Sequence, residues 1–222
     1  MRIYGKAVLA LVLLTGTASA RDWDGFTPSE PSLKQPGHWE WAWDGSDSLG
    51  ISVPATVHYV RGGPARIVIT GPDDMLAQLR VGHGDIRFCR DCWGGHGDRL
   101  DITVSGVPLR NVSLAGGGED IQLGRLDQNE LHLSIAGSGR ASADGRIDQL
   151  NLSIAGSGTV RMDDAKVQRA DIHIAGSGNV AVTPTEEADV HVSGSGNIQT
   201  KATPPRLNQF VTGSGGVHVM SN

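Results

Sequence analysis

Apolar and polar residues alternate along much of the chain, and the alternation is copied from one segment to the next. Residues 131–139, LHLSIAGSG, recur as residues 150–158, LNLSIAGSG, and as residues 170–178, ADIHIAGSG. Shorter copies stand at residues 190–196, VHVSGSG, and at residues 210–215, FVTGSG. The first glycines of the copies stand at positions 137, 156, 176, 194 and 213. A period of about 20 residues is typical of a stacked repeat architecture.

Each copy predicts a strand with one buried face. Every second position before the first glycine is apolar in most copies, a period of two that is typical of half-buried strands. The inward positions are Leu133, Leu152, Ile172 and Val190, and then Ile135, Ile154, Ile174, Val192 and Val211. The outward positions between them are Ser134, Ser153, His173, His191 and Phe210. A second alternation follows the Gly-Ser-Gly, and then a variable return of several residues.

The glycines of the repeated Gly-Ser-Gly predict structural corners, because a sharp bend requires positive φ or close backbone approach. They are Gly137, Gly139, Gly156, Gly158, Gly176, Gly178, Gly194, Gly196, Gly213 and Gly215. Stacked coils explain why successive copies are nearly identical, since equal positions then lie about 4.8 Å apart. We therefore predict an all-β, right-handed parallel β-helix with coils of about 18–21 residues, the hand following from the rule for parallel crossovers. A β-sandwich with hairpin turns is the alternative.

The repeated line SIAGSG, followed by alternating valines, resembles the putative autotransporter adhesin head domain, or head-GIN domain, of secreted bacterial proteins. The resemblance is clear from residue 100 to residue 219 and fainter from residue 51 to residue 88. It implies a β-helical fold outside the cytoplasm and, from the family's name, adhesion. It implies no catalytic residues.

Three segments are predicted. Residues 1–20 form a secretory signal peptide, with positive Arg2 and Lys6, a short apolar run and an Ala-Ser-Ala cleavage site. Residues 21–48 form an extended leader and cap rich in Trp and Pro. Residues 49–222 form the β-helical domain, most regular from 100 to 219. About 200 residues remain after cleavage, enough for one domain with a sizeable core.

Charge and compartment narrow the range of partners. The formal net charge of −5 becomes −7 when Arg2 and Lys6 are removed, and no run of Lys or Arg stands out. This disfavours nucleic acid as a partner. The chain is expected to be exported to the periplasm, the cell surface or the medium, with no integral membrane segment after signal removal.

Three tryptophans, Trp39, Trp41 and Trp43, alternate along one predicted strand and share a face. Aromatic rings on one face can form a platform for a sugar. They can equally cover the open N-terminal end of the solenoid, because terminal repeats need caps.

Cys89 and Cys92 are the two cysteines of the chain. In an exported protein such a pair predicts a disulfide. The alternative is a zinc site with His83, Cys89, Cys92 and His96 as its four ligands, since that spacing permits tetrahedral ligation.

The outward face of the repeats carries the candidate ligand surface: Ser134, Ser153, His173 and His191 share one column, and Asp171 and Asp189 share another. Stacked His and Asp side chains can bind metal or act as acid and base. Alternation alone also demands polar residues on the outside, and repetition copies them.

We expect a non-enzymatic, adhesin-like or cell-envelope protein without cofactor. Its partner is a glycan, an envelope or surface protein, or a second copy of the chain. A carbohydrate-active β-helix enzyme, a lyase or a hydrolase, is the alternative. Such enzymes need clustered carboxylates in one groove, whereas the outward positions here carry mainly Ser, Asn, Thr and Ala.

Overall fold

The computed structural model describes residues 26–89, 92, 97–106 and 108–219. The predicted signal peptide lies outside the described residues. The chain forms a parallel β-solenoid of about five turns, which confirms the predicted class of fold. The β-sandwich alternative is wrong, because successive repeats pair in parallel.

Fifteen strands and one short helix make up the described chain. In chain order they are β1 Leu33–Gln35, β2 His38–Ala42, β3 Ser48–Ser52, β4 Ala55–Thr70, α1 Asp73–Gln78, β5 Leu79–Gly82, β6 Asp85–Phe88, β7 Leu100–Gly106, β8 Asn111–Gly116, β9 Asp120–Gly137, β10 Arg140–Gly156, β11 Thr159–Gly176, β12 Asn179–Gly194, β13 Asn197–Thr200, β14 Arg206–Gly213 and β15 Gly216–Val219.

Strands β9, β10, β11 and β12 each make one whole coil. The sequence predicted a variable return of several residues after the second alternating run. The backbone stays extended through this return, and only the Gly-Ser-Gly corner interrupts the strand. A register shift in the return absorbs the different lengths of the coils, as between Ser142 and Gly145. Each coil can therefore pair almost completely with the next one.

The core consists of the columns that the alternation predicted. Ile135 stands opposite Ile154, and Ile154 opposite Ile174, and each is at most 2% exposed. Similar columns of Leu, Val and Ala fill the rest of the interior. A single coil could not bury these side chains, so the apolar stabilisation belongs to the stack.

The two glycines of a corner are required for different structural reasons. Gly156 has φ +126°, and a Cβ there would come 2.5 Å from the carbonyl oxygen of Gly137 in the preceding coil. Gly158 has no positive φ, but a Cβ would come 2.7 Å from Cγ2 of Ile135. Between them the Ser157 amide donates to the Gly137 carbonyl at 2.8 Å. The corner is therefore a hydrogen-bonded ladder too narrow for side chains.

The N-terminal part departs from the solenoid pattern. In β4, residues 55–61 run parallel to β7, and residues 66–70 return along β7 in the opposite sense, with Ile67 opposite Val104 and Thr70 opposite Asp101. Gly62 and Gly63 make this reversal at positive φ. Strand β2 then pairs antiparallel with the returning half, and β1 with β2.

The line from Gly82 to Phe88, which lies in the region of fainter resemblance, contains a hairpin turn, and its strand β6 also pairs in parallel with β3. Strands β5 and β6 are antiparallel and joined by two residues at positive φ, His83 at 50° and Gly84 at 83°. Two such residues are typical of a tight hairpin turn. The glycines here reverse the chain rather than turn a corner.

The three tryptophans are buried. Trp39, Trp41 and Trp43 are 9%, 2% and 7% exposed and belong to the hydrophobic core. Trp39 stands opposite Ile69, and Trp41 opposite Ile67, in β4. The sugar platform is therefore wrong for these residues, because no indole face is open to a ligand. The description of residues 21–48 as an extended leader and cap is not confirmed, since β1 and β2 form part of the sheet.

Candidate ligand-binding face

One broad sheet face runs along the solenoid and is formed by β6, β3, β8, the second halves of β9 to β12, and β14. We call the outward side of this sheet the open face. Its strands are in register, so residues from different coils form straight columns across it. The predicted surface residues Ser134, Ser153, His173 and His191 all lie in one of these columns.

That column begins with small residues and ends with rings. Gly50, Ser113, Ser134 and Ser153 are followed by His173, His191 and Phe210. The neighbouring column nearer the corner is also small, with Ala115, Ala136, Ala155, Ala175, Ser193 and Thr212. We call the small residues of these two columns, without the three rings, the small-residue strip.

The next column holds larger polar side chains. It consists of Ser48, Asn111, His132, Asn151, Asp171, Asp189 and Asn208. A groove of about 450 Å³ lies between this column and the small-residue strip, spanning β3 to β11. Asp85 closes one end, with its carboxylate over Gly50, and His173 closes the other. A second concavity of about 370 Å³ continues along the same face past His191 and Phe210.

Side-chain contacts hold the polar column in place. His132 Nε2 lies 2.9 Å from Glu130 Oε1, and the amide of Asn151 donates to the same oxygen at 3.3 Å. Further along the column, the amide of Asn208 donates to Asp189 Oδ1 at 2.7 Å. These donors and acceptors are therefore oriented before any ligand arrives, which reduces the ordering cost of binding.

The ring end of the face has a defined geometry. The imidazoles of His173 and His191 are stacked, with centroids 4.8 Å apart and planes 9° apart. Phe210 follows at 6.2 Å from His191, tilted by 45°. His173 Nε2 also lies 3.0 Å from Asp171 Oδ1, which is ion-pair distance when the imidazole is protonated.

No group of three or more His, Cys, Asp or Glu side chains suited to a metal ion occurs in the described part of the chain. The stacked His and Asp residues belong to this part, and their arrangement on a flat sheet gives no convergent ligand set. What the face offers is hydroxyl, amide, imidazole and carboxylate groups at regular intervals. Such groups can hydrogen-bond a polar ligand at several points.

The two cysteines are joined in the disulfide that the sequence predicted. Cys89 and Cys92 are linked with their Cα atoms 5.3 Å apart. The amide of Cys92 also donates to the carbonyl of Cys89 at 3.2 Å. Sulfurs in a disulfide are not zinc ligands. Of the proposed histidine ligands, His83 lies 3.6 Å from Asp44, and His96 lies outside the described residues.

The sequence prediction missed part of the face. Asn111, His132 and Asn151 were not singled out, although they precede the first glycine by five residues, as Asp171 and Asp189 do. Aligning that position across the copies would have revealed the whole polar column. Asp85 could not be found in this way, because it reaches the face through the β5–β6 hairpin.

The architecture agrees with that of a known family. The fold is that of a parallel β-solenoid with a regular, open sheet face. The chain belongs to the family described as putative auto-transporter adhesin, head GIN domain, whose model matches residues 47–204. A search among curated proteins found no match.

Two solved structures share the fold. A putative adhesin from Bacteroides fragilis aligns with a TM-score of 0.65 at 17% identity, covering 83% of this chain and 97% of its own. A putative lipid binding protein from Parabacteroides distasonis aligns with a TM-score of 0.50 at 18% identity, covering 84% of this chain and 97% of its own. Identities this low indicate shared architecture alone. Among the described residues, no helix is long and apolar enough to cross a membrane.

Proposed function

We propose that the protein is a non-enzymatic, exported binding protein whose open face holds an extended, neutral, hydroxyl-rich ligand, such as a glycan chain of a cell envelope. The observation that carries this proposal is the small-residue strip beside a column of oriented polar side chains. The strip leaves room for a ligand to lie flat against the sheet. The polar column supplies hydrogen bonds along one side of it.

The regular spacing favours a ligand with repeated polar groups. Equivalent side chains recur from coil to coil at the strand separation of about 4.8 Å. Asn111, His132, Asn151 and Asp171 therefore present donors and acceptors at nearly constant intervals along the solenoid axis. A polymer with a repeating unit can use many of these positions at once, and its total affinity then comes from several weak contacts.

The charges of the groove favour a neutral ligand over a polyanion. Asp85 and Asp171 line it, and no Lys or Arg is among its lining residues. Acidic polysaccharides and phosphate polymers are normally bound through Arg or Lys. They would meet the carboxylates of Asp85 and Asp171 here, with no Lys or Arg along the groove.

Export is supported by two further features. The N-terminal 20 residues have the composition of a signal peptide, and a disulfide such as Cys89–Cys92 persists mainly in oxidising compartments. The family description as an autotransporter adhesin head domain agrees with a location outside the cytoplasm. Periplasm, cell surface and medium all fit these features.

A glycan array followed by calorimetry on the mature protein tests the proposal. Ser153→Trp places a large ring in the middle of the strip and should abolish binding, because Ser153 is exposed and lines the groove. Gln122→Trp is the matched control: it adds the same ring on the outward side of β9, where a separate groove of about 440 Å³ lies. The control should bind as the unmodified protein does.

Two outcomes would contradict the proposal. Loss of binding in Gln122→Trp with retention in Ser153→Trp would assign the ligand to the other groove. Binding of phospholipid vesicles but of no glycan would replace the ligand class with lipid, the class for which the Parabacteroides protein is named. A vesicle flotation assay belongs beside the array for this reason.

A further inference from the structure

The two ends of the solenoid differ in whether other segments cover them, and the N-terminal end is covered. Helix α1 packs Met75 and Leu76 into the core at 4% and 0% exposure. The outer edge of β5 is paired further, since the amide of Ser29 donates to the carbonyl of Val81 at 2.7 Å. Phe26 lies against Arg87, 3.8 Å from its guanidinium carbon. A further coil cannot stack on this end without displacing these segments.

The C-terminal end is open within the described chain. Strand β14 pairs with β12 on one edge, and no described strand pairs with its other edge. Five large apolar side chains are exposed in the described residues, and three of them lie on this last coil: Phe210 at 65%, Val211 at 36% and Val219 at 51%. Val211 continues the core column of Val192, so the end exposes a cross-section of the core.

Strand β14 also lacks the usual protection of an edge. Natural edge strands are shielded by charged side chains, proline, bulges or very short length. Residues 207–213 carry no charge and no proline, and they pair with β12 in unbroken register. The charge at the start of the strand, on Arg206, is already engaged by Glu187 at 3.1 Å. At the other end, the edge strand β1 has three residues and includes Lys34.

We propose that β14 is a self-association surface, and that two copies of the chain pair their β14 edges antiparallel across a two-fold axis. A head-to-tail stack would need an open N-terminal end, whereas the described residues cover that end. A two-fold contact uses the same surface on both copies and closes after two. An uncharged edge suits this arrangement, because a copy of itself brings no like charge against it.

The residues of β14 favour one register. If the two Gln209 side chains face each other at the axis, Leu207 of each copy stands opposite Val211 of the other. Gln209 occupies an inward position in line with buried Val190, and a primary amide can donate to and accept from its own copy. On the outward side, Phe210 of each copy then lies diagonal to the other, within reach of an aromatic contact.

Sedimentation equilibrium on the mature protein tests the proposal, and a dimer is the expected species. Val211→Lys places a charge within the buried edge, opposite Leu207 of the other copy, and should raise the dimer dissociation constant at least about tenfold. Gln199→Lys is the matched control, since it adds the same charge at an exposed position of β13, a strand paired on both edges. The control should dimerise normally.

A cross-link tests the register. Gln209→Cys should form an intermolecular disulfide under mild oxidation, whereas Gln199→Cys should not. A monomer at every concentration, or a dimer that Val211→Lys does not weaken, overturns the proposal. A dimer in which Gln209→Cys fails to cross-link overturns the antiparallel register. Neither result bears on glycan binding, because Val211 does not line the open face; monomeric Val211→Lys can therefore be tested for ligand separately.

Discussion

His173 and His191 stack face to face on consecutive coils, with ring centroids 4.8 Å apart and planes 9° apart. Their separation equals the distance between neighbouring strands of a sheet, so the stack follows directly from the in-register pairing of β11 with β12. The same kind of register aligns Gly156 with Gly176 at the corner and Ile154 with Ile174 in the core. One structural relationship, repeated along the axis, thus produces the corner, the core and the open face.

The corners should tolerate changes at serine and not at glycine. Gly156→Val should destabilise the protein by at least about 3 kcal/mol, because the side chain would meet a carbonyl and the backbone would need a strained φ. Ser157→Ala should change stability by less than about 0.5 kcal/mol, since Ser157 is exposed. Chemical denaturation of both variants measures the difference. Equal losses would mean that the corner has no special backbone requirement.

Substitutions at inward and outward positions of the same strand should differ as sharply in their effect on stability. Ile154→Ala and Ile174→Ala each leave a cavity in the stacked core and should cost about 2–5 kcal/mol. Ser153→Ala changes an exposed hydroxyl on the other side of β10 and should cost almost nothing. Thermal unfolding of the three variants provides the comparison. A loss in Ser153→Ala as large as that in Ile154→Ala would contradict the assigned register.

The regular coils were predictable because three features of their sequence indicate the same structure. Alternation sets the buried face, the glycines set the corner, and repetition requires that equal positions stack. The N-terminal part lacks this agreement. Gly62 and Gly63, where β4 reverses, belong to no repeated motif, and Gly82 to Asp85 resembles a corner. Only long-range pairing decides between a hairpin and a corner there.

The candidate site was predictable to a similar extent. The column of Ser134, Ser153, His173 and His191 follows from the alignment of the repeats. The groove beside it depends on the sizes of the side chains in the neighbouring columns. Its closed end depends on the Asp85 carboxylate, which lies over Gly50 but belongs to the β5–β6 hairpin. The burial of Trp41 could not be predicted either, because alternation indicates which side chains share a face but not whether another part of the chain covers that face.

Stability should decline in alkaline solution partly through Tyr59. Burial raises the pKa of Tyr59 above its ordinary value of 10.0, and outweighs the hydrogen bond with the Leu109 backbone and the charge of Arg61, which lower it. The folded state therefore holds the phenolic proton more tightly than the unfolded chain does. This contribution is complete below pH 10 and is lost as the pH rises through the raised value.

Tyr59→Phe removes that titration. The free energy of unfolding, measured by denaturant titration from about pH 8 to about pH 11, should therefore fall less steeply in Tyr59→Phe than in the unmodified protein. Tyr4 precedes the predicted cleavage site, which leaves Tyr59 as the one tyrosine that titrates in the mature chain. Identical slopes in the two proteins would show that Tyr59 does not contribute to the alkaline loss of stability.

The disulfide should have a modest effect on stability. Cys89 and Cys92 close a very short loop, and the loop-entropy model gives about 2 kcal/mol or less for a loop of this size. Cys89→Ser/Cys92→Ser should therefore remain folded, with a slightly lower denaturation midpoint. Mass spectrometry of protein purified from an exporting host and alkylated without reductant should find neither thiol labelled. Labelled thiols with stoichiometric zinc would instead support the four-ligand site with His83 and His96.

The open face should bind without catalysing a reaction. Asp171 and His173 form an acid–base pair on this face, at 3.0 Å, and a general acid or base usually contributes a factor of about 10²–10⁴ in rate. Binding through many weak contacts loses little when one of them is removed. We therefore expect Asp171→Ala and His173→Ala to weaken glycan binding only modestly, as measured by calorimetry.

The same two variants separate binding from catalysis. Incubation of the mature protein with neutral and acidic polysaccharides, with and without calcium, should release no new reducing or unsaturated ends. Hydrolysis would need a carboxylate pair across the bond to be cleaved, and the lining of the groove offers Asp85 and Asp171 at its opposite ends. Steady release of sugar ends that disappears in Asp171→Ala or His173→Ala would make this face an active site and the protein an enzyme.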